Sequence, residues 1–267
     1  MEAFYLEGKR RRFCLYHPPR GNCRGMIVGV HPFAEEMNRS RRMLALQARA
    51  FAATGFGVVQ VDLSGCGDSS GNFGEAGWSA WVEDVVDACA WAKTRLRQPL
   101  WLWGVRAGAL IAGEAASVIK DLTGMLLWQP VVAGNICLRQ FLRLRLASDM
   151  LEGGAQASTA ALEARLMQGQ NVEVAGYALS PELAGGLTKA TLFYSADLRH
   201  CICFEISSRE EKQLTPAVAA WVEKARSAGG TIQATVVDGP AFWQTSEITE
   251  CPSLISASIE ALIGCSP

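Results

Sequence analysis

The chain has 267 residues, 49% hydrophobic and 19% charged, which is typical of one folded domain with a buried core. The formal net charge of −1 gives no positive field, and neither charge nor motif supports binding to nucleic acid. Apolar runs are too short to span a bilayer, and no signal-peptide stretch follows the basic segment Lys9–Arg12, so we expect a cytoplasmic protein that is not transmembrane.

Short β-prone runs alternate with amphipathic stretches along most of the chain. In chain order, the pattern predicts strands at 3–7, 12–17 and 26–30, a helix at 41–53, a strand at 58–63, a helix at 78–94, a strand at 100–103, a helix at 107–119, strands at 125–128 and 201–206, a helix at 216–227, a strand at 231–237 and a helix at 253–262. Such alternation predicts an α/β fold with a mostly parallel sheet and helices on both faces.

Residues 130–190 interrupt this alternation with loop and helix and no clear strand pattern. We therefore predict one domain over residues 1–267, with a helical cap at about 130–190 above the carboxyl edge of the sheet. Arg139, Arg143 and Arg145 in the cap either add positive potential above the site or form a solvated helix face.

Nine cysteines are scattered through the chain in an odd number, which favours free buried thiols over a disulfide framework. No spacing of cysteine and histidine is typical of a zinc site, so we expect no metal and no cofactor. The chain has only three histidines, which are His17, His31 and His200. Their small number limits every catalytic hypothesis.

Three segments in order resemble the α/β-hydrolase superfamily. His31-Pro32-Phe33 follows a predicted strand, as the HG segment of the family's oxyanion loop does. The glycine-rich segment from Asp62 to Gly71 is similar to the family's next loop. Gly104-Val105-Arg106-Ala107-Gly108 corresponds to the G-x-S-x-G nucleophile elbow, with arginine in the serine position. The resemblance implies an α/β-hydrolase fold over nearly the whole chain.

Details of three segments are similar to the exosortase A system-associated hydrolases. They are His31–Asn38, the arginine-bearing elbow and Gly239–Trp243. Proteins of that subgroup are encoded with exopolysaccharide and protein-sorting genes in Gram-negative bacteria. The resemblance implies this setting and a partner from it, but no substrate.

Two members of the expected catalytic triad are missing. Arg106 cannot act as the nucleophile, because a guanidinium stays protonated. In the superfamily the histidine base follows the last strand, where this chain has Asp238-Gly239-Pro240-Ala241-Phe242-Trp243. The position of the acid, after Ile206, offers Ser207, Ser208, Glu210 or Glu211, but an acid without a base has no triad role.

The strand order of the superfamily would place the His31 loop between the glycine-rich loop and the elbow. The side chains expected to share this pocket include Asp62, Cys66 and Asp68 together with candidate ligand-binding residues, which are Arg106, His31, Phe33, Glu35, Glu36, Asn38 and Trp243. Ser64, Ser69 and Ser70 are expected to stabilise the glycine-rich turn.

Arg106 has two interpretations. It binds a carboxylate, phosphate or sulfate of a ligand, or it forms an internal ion pair with Glu35 or Glu36 that fills a dead site. Cys66 and His31 also have two: a relocated thiol-histidine dyad, or a packed cysteine beside a histidine bonded to backbone.

Three functions follow from these choices. The first is a hydrolase-family protein without serine-hydrolase activity that binds an anionic small molecule or a partner protein of an exopolysaccharide or sorting system. The second is an active hydrolase that uses Cys66 and His31, or water activated by Glu35, Glu36 or Asp68. The third is a structural interaction protein whose pocket is filled by Arg106 and aromatic side chains.

Overall fold

A computed structural model of the chain describes residues 1–151, 158–195, 198–245 and 247–265. The strands of this part are β1 (Glu2–Leu6), β2 (Arg12–His17), β3 (Gly25–Val30), β4 (Phe56–Val61), β5 (Leu100–Val105), β6 (Leu122–Trp128), β7 (Val172–Val174), β8 (Tyr177–Leu179), β9 (His200–Ser207) and β10 (Ile232–Asp238). The helices are α1 (Glu35–Ala53), α2 (Trp78–Arg95), α3 (Gly108–Ala116), α4 (Gly134–Leu151), α5 (Thr159–Met167), α6 (Pro181–Lys189), α7 (Pro216–Ser227) and α8 (Pro252–Gly264).

Eight strands form one sheet in the order β1-β2-β4-β3-β5-β6-β9-β10. The strands from β4 to β10 in this order pair in parallel, whereas β1 and β2 form an antiparallel hairpin at one edge. The carboxyl ends of β3, β4 and β5 therefore meet at one edge of the sheet, as predicted. This arrangement brings the loop after β3 between the glycine-rich loop and the elbow.

Helices cover both faces of the sheet and create two apolar clusters. Helices α1 and α8 pack against the indole rings of Trp101, Trp103 and Trp128, all of which are fully buried. Helices α2, α3 and α7 cover the opposite face. These clusters hold the strand ends in place, because burial of apolar surface stabilises the folded state by about 25 cal/mol per Å².

The structure corrects two details of the predicted elements. Helix α1 begins at Glu35 and not at Arg41. The prediction begins too late because the polar first turn shows no apolar stripe in the sequence. Two acidic side chains there favour the N-terminus of a helix. Residues 130–190 contain a short hairpin of β7 and β8 besides their helices, and three-residue strands are too short to show alternation. Residues 152–157 of the predicted cap lie outside the described residues.

The hydrogen bonds agree with the stabilising role predicted for Ser69 and Ser70 but not for Ser64, whose buried Oγ has no hydrogen-bond partner among the described residues. Ser69 Oγ accepts from Phe13 N at 2.8 Å, and Ser70 Oγ accepts from Arg11 N at 3.0 Å. Asp62 Oδ2 accepts from Asp68 N at 3.1 Å inside the loop. Among the helices of the described residues, none is both long and apolar enough to cross a membrane.

Candidate functional site

The backbone of the elbow is a sharp turn between β5 and α3. Arg106 has a φ of +55°, a left-handed conformation that is unusual for a residue with a side chain. A Cβ atom on Gly108 would collide with the carbonyl oxygens of Val30 and His31, so the helix can approach β3 this closely only with glycine. The turn holds the Arg106 side chain at the carboxyl edge of the sheet.

The Arg106 guanidinium is bound by three different elements. Its Nε donates to Glu36 Oε2 at 3.1 Å, and its Nη2 donates to Glu36 Oε1 at 3.0 Å. Its Nη1 donates to the carbonyl oxygen of Gln129 at 3.2 Å, and the guanidinium carbon lies 5.1 Å from the centre of the Trp243 ring. The internal ion pair considered from the sequence is therefore present, and Glu36 is the partner.

Glu35 makes contacts different from those of Glu36. Its Oε2 accepts from Tyr177 Oη at 3.1 Å and from Asn38 Nδ2 at 3.3 Å, and its Oε1 lies 3.5 Å from Arg39 Nε. Burial, followed by the hydrogen bond to Glu35, raises the pKa of Tyr177 to about 12. Asn38 is exposed and also donates to Tyr177, so it supports Glu35 and does not face the cavity.

A cavity of about 450 Å³ opens beside Arg106. The candidate residues that line it are Phe33, Glu35, Glu36, Arg106 and Trp243. The sequence did not point to six further lining residues, which are Arg39, Cys137, Gln140, Phe141, Leu144 and Gln244. Arg39 lies four residues after Glu35 on α1, and this spacing is the one sequence pattern that would have indicated it.

His31 lies outside that cavity, and both ring nitrogens are bonded to backbone. Nδ1 lies 2.7 Å from the Pro32 carbonyl oxygen, and Leu63 N donates to Nε2 at 3.2 Å. These partners require the tautomer with the proton on Nδ1. Burial lowers the pKa of His31, which keeps the ring neutral. His31 instead borders a smaller cavity of about 180 Å³ beside α1.

Cys66 shows no thiolate-stabilising environment. The residue is buried, and burial followed by the charge of Asp62 raises the pKa of the thiol to about 12. A thiol with this pKa is almost entirely protonated at neutral pH and is a poor nucleophile. With both nitrogens of His31 bonded to backbone, the contacts agree with the packed-cysteine interpretation and give no support to the dyad.

The segment after β10, where the resemblance predicts the position of a catalytic histidine, contributes two aromatic side chains. Phe242 is buried against Trp128, with ring centres 6.2 Å apart. Trp243 is 4% exposed, lines the cavity and stacks on the Arg106 guanidinium. Its buried Nε1 has no hydrogen-bond acceptor among the residues described. Phe242 therefore extends the core, whereas Trp243 forms part of the pocket surface.

The position of the family's acid is next to a buried carboxylate that the sequence did not indicate. Glu205 accepts from Thr215 N at 2.6 Å, from Thr215 Oγ1 at 2.7 Å and from Gln129 Nε2 at 3.3 Å. Gln129 itself has a φ of +41°. Its carbonyl oxygen binds Arg106 while its side chain binds Glu205, so it links the elbow to β9. The described residues contain no cluster of three or more metal-ligating side chains.

Comparison with known proteins identifies the family and the fold. The family model of "Serine aminopeptidase, S33" (Hydrolase_4) matches residues 21–200. The human protein ABHD12B is 30% identical over 116 residues, a match that covers 43% of this chain and 31% of the relative. The chain therefore matches less than a third of the length of that relative.

Solved structures show the same fold. Est1E from Butyrivibrio proteoclasticus, solved with bound ferulic acid, has a TM-score of 0.70 at 12% identity and covers 98% of both chains. A thermostable carboxyl esterase from Bacillus coagulans has a TM-score of 0.67 at 16% identity over 99% of this chain and 98% of its own. These likenesses confirm the predicted α/β-hydrolase fold and, at such identities, only the fold.

Proposed function

The chain belongs to the Serine aminopeptidase, S33 family within the α/β-hydrolase superfamily, and we propose that it lacks serine-hydrolase activity and binds an anionic ligand at the former nucleophile position. One observation carries this proposal. The elbow presents Arg106, a permanent cation, to a cavity of about 450 Å³ that is large enough for a small molecule.

The histidines support the loss of acyl-transfer chemistry. His31 uses both nitrogens for backbone contacts. His200 begins β9 and therefore lies at the amino edge of the parallel strands, away from the elbow. His17 pairs with Val58, near the start of β4, and so lies at that same far edge. A general base must come within hydrogen-bond reach of its nucleophile, and these positions offer none near Arg106.

Backbone strain supports retention of a functional site. Three non-glycine residues with positive φ follow neighbouring strands β3, β5 and β6 at this edge: Ala34 at 49°, Arg106 at 55° and Gln129 at 41°. Each such conformation costs about 1–3 kcal/mol and tends to persist at binding or catalytic sites. A pocket that merely filled space would gain nothing from this strain.

The open cavity favours binding over the two alternatives. A structural interaction protein with a filled pocket would leave no space beside Arg106, yet the cavity is lined by four charged side chains and several apolar ones. Hydrolysis by water activated at Glu36 would need a free carboxylate, whereas this one accepts two charge-assisted bonds from Arg106.

The biological setting is part of the proposal. The similarity of His31–Asn38 to the exosortase A system-associated hydrolases supports a ligand or partner from an exopolysaccharide or protein-sorting system. All nine cysteines are free thiols, which supports a reducing compartment and thus the cytoplasm. We further propose that residues 1–267 act as one domain whose α4 borders the ligand.

The proposed lack of serine-hydrolase activity is tested with a covalent probe and with ester substrates. Purified protein is incubated with a fluorophosphonate probe and with short-chain p-nitrophenyl esters, followed by intact mass and absorbance. We expect no covalent adduct and no turnover above buffer, because no activated nucleophile faces the cavity. Turnover that disappears in Arg106→Ala or Cys66→Ala would overturn the proposal.

A further inference from the structure

The Arg106 guanidinium has more N–H donors than the described part of the chain supplies acceptors for. A guanidinium carries five N–H groups. Glu36 takes one from Nε and one from Nη2, and the Gln129 carbonyl takes one from Nη1. Within the described residues, one N–H on each terminal nitrogen is therefore left without an acceptor. An anion that bridges Nη1 and Nη2 would be held by two bonds while Glu36 stays in place.

The Arg106 side chain borders the cavity. The Arg106 side chain is 14% exposed, and Arg106 belongs to the cavity lining. Glu36 approaches the guanidinium from the Nε side, so it does not cover the end that carries the two terminal nitrogens. The ion pair thus orients Arg106 and does not occupy all of it.

The charges of the lining limit the charge of a ligand. Two carboxylates, of Glu35 and Glu36, balance two guanidinium groups, of Arg39 and Arg106. Arg39 is itself engaged by Glu35 and by the carbonyl oxygen of Gln244 at 2.8 Å. Because these four charges sum to zero, Glu36 repels any added negative charge, and a dianion meets about twice the repulsion that a monoanion meets.

Most of the uncharged lining is apolar, and two amide side chains, of Gln140 and Gln244, complete it. Phe33 and Phe141 contact each other edge to face with ring centres 4.8 Å apart, and both are buried. Leu144, on α4, is 51% exposed, and Trp243 is 4% exposed; both line the cavity. A ligand body placed here gains from leaving water, whereas a small hydrophilic anion does not.

From this combination we propose that the cavity binds a hydrophobic monocarboxylate, with its carboxylate across Nη1 and Nη2 of Arg106 and its apolar body against Phe141 and Trp243. The inference rests on the proposed binding function and names the chemical class of its ligand. Glu36 keeps its pair with Arg106 throughout.

The test is titration calorimetry of the whole chain with four probes. The first probe is 4-phenylbutyrate, which we expect to bind with one molecule per chain. The other three remove or alter one part of it: 4-phenylbutyramide removes the charge, acetate removes the body, and phenyl phosphate replaces the carboxylate and its chain by a doubly charged group. We expect each of them to bind at least tenfold more weakly than 4-phenylbutyrate.

Variants separate the two parts of the site. Arg106→Lys keeps the charge but loses the planar fork, so we expect at least a tenfold loss of affinity for 4-phenylbutyrate. Phe141→Ala should weaken 4-phenylbutyrate several-fold and leave the response to acetate unchanged. Arg139→Gln is the matched control, because Arg139 pairs with Glu163 outside this cavity. Circular dichroism and melting curves show that each variant is folded.

The outcomes distinguish this inference from the proposed function. Arg106-dependent binding of phenyl phosphate without binding of 4-phenylbutyrate would overturn the monocarboxylate and leave the anion-binding function standing. Equal affinity of wild type and folded Arg106→Lys for 4-phenylbutyrate would overturn the proposal that the carboxylate bridges Nη1 and Nη2. Absence of binding for all four probes to folded wild-type protein would overturn both proposals. If only the Lys variant fails to fold, Phe141→Ala and the amide probe still test the inference.

Discussion

Arg106 and Glu36 form an ion pair in which each partly buried charge compensates the other. The side chains are 14% and 26% exposed, so either charge alone would be only partly hydrated. Glu36 satisfies two of the guanidinium donors and holds the plane of the group toward Trp243. At the scale of single residues, the pair is both a stabilising contact and the device that orients the proposed anion site.

Glu36→Gln should therefore destabilise the protein. Loss of the carboxylate leaves a partly buried guanidinium with weaker partners, at a cost of about 1–3 kcal/mol in the free energy of unfolding. Urea denaturation measures this cost. Glu163→Gln is the control, because its pair with Arg139, 60% exposed, contributes less than about 1 kcal/mol. Equal losses in both variants would show that the Arg106 pair has no special role.

Cysteine reactivity gives a second prediction at this scale. Burial raises the pKa of the Cys66 thiol to about 12, so iodoacetamide at pH 7 should leave Cys66 unmodified in the native protein. Partly exposed Cys23 should react first. Peptide mapping after timed labelling checks the order. Rapid modification of Cys66 would revive the hypothesis of a thiol nucleophile.

Sequence patterns predict the chemistry of the site better than its contacts. The elbow glycines identify Arg106, and the sequence after β10 contains no histidine. The choice of Glu36 over Glu35, and the support from Gln129, depend on how α1 and β6 pack against the elbow. Such choices arise from tertiary packing, which neither spacing nor composition encodes.

The elbow shows how one element depends on glycine. Gly104 and Gly108 flank the turn, and a Cβ on Gly108 would strike backbone oxygens that cannot move aside. At the scale of elements, the turn can therefore tolerate a change in the presented side chain but not in its flanking glycines.

Gly108→Ala should destabilise the protein by about 3 kcal/mol or more, because relief of the clash must displace β3 or α3. Gly185→Ala is the matched control. Gly185 lies within α6 with nothing near its added methyl group, so alanine should raise stability by up to about 1 kcal/mol. Thermal melts compare the two. A mild effect of Gly108→Ala would contradict the close approach of α3 to β3.

Element boundaries differ from the predicted ones where local preferences are weak. The predicted helix 216–227 coincides with α7, which Pro216 begins clearly. The start of α1 is predicted six residues too late, because Met37 is the one apolar residue among the first six of the helix and no apolar stripe marks its start. The hairpin of β7 and β8 escaped prediction because it is short.

At the scale of the whole molecule, buried histidines make stability depend on pH. Burial lowers the pKa values of His31 and His17 below 6.5 in the folded chain. Below pH 6.5 the unfolded chain binds protons that the folded chain rejects, so stability is full above that pH and falls as pH decreases toward the folded pKa values. Each histidine contributes at most about 1.4 kcal/mol per pH unit.

Urea midpoints at pH 7.5, 6 and 5 should therefore decrease in that order. His31→Gln should start from a lower midpoint, because Leu63 N loses its acceptor geometry, but should show a shallower decrease. Identical slopes in the two proteins would contradict the neutral buried histidine.

A crystal structure with 4-(4-bromophenyl)butyrate, located by the anomalous signal of bromine, shows directly whether Arg106 binds an anion in the cavity. We expect a carboxylate about 2.7–2.9 Å from Nη1 and Nη2 of Arg106, bromine among the apolar lining, and Glu36 still paired through Nε. An empty cavity at saturating ligand, or bromine bound elsewhere only, would contradict the claim that Arg106 is an anion receptor.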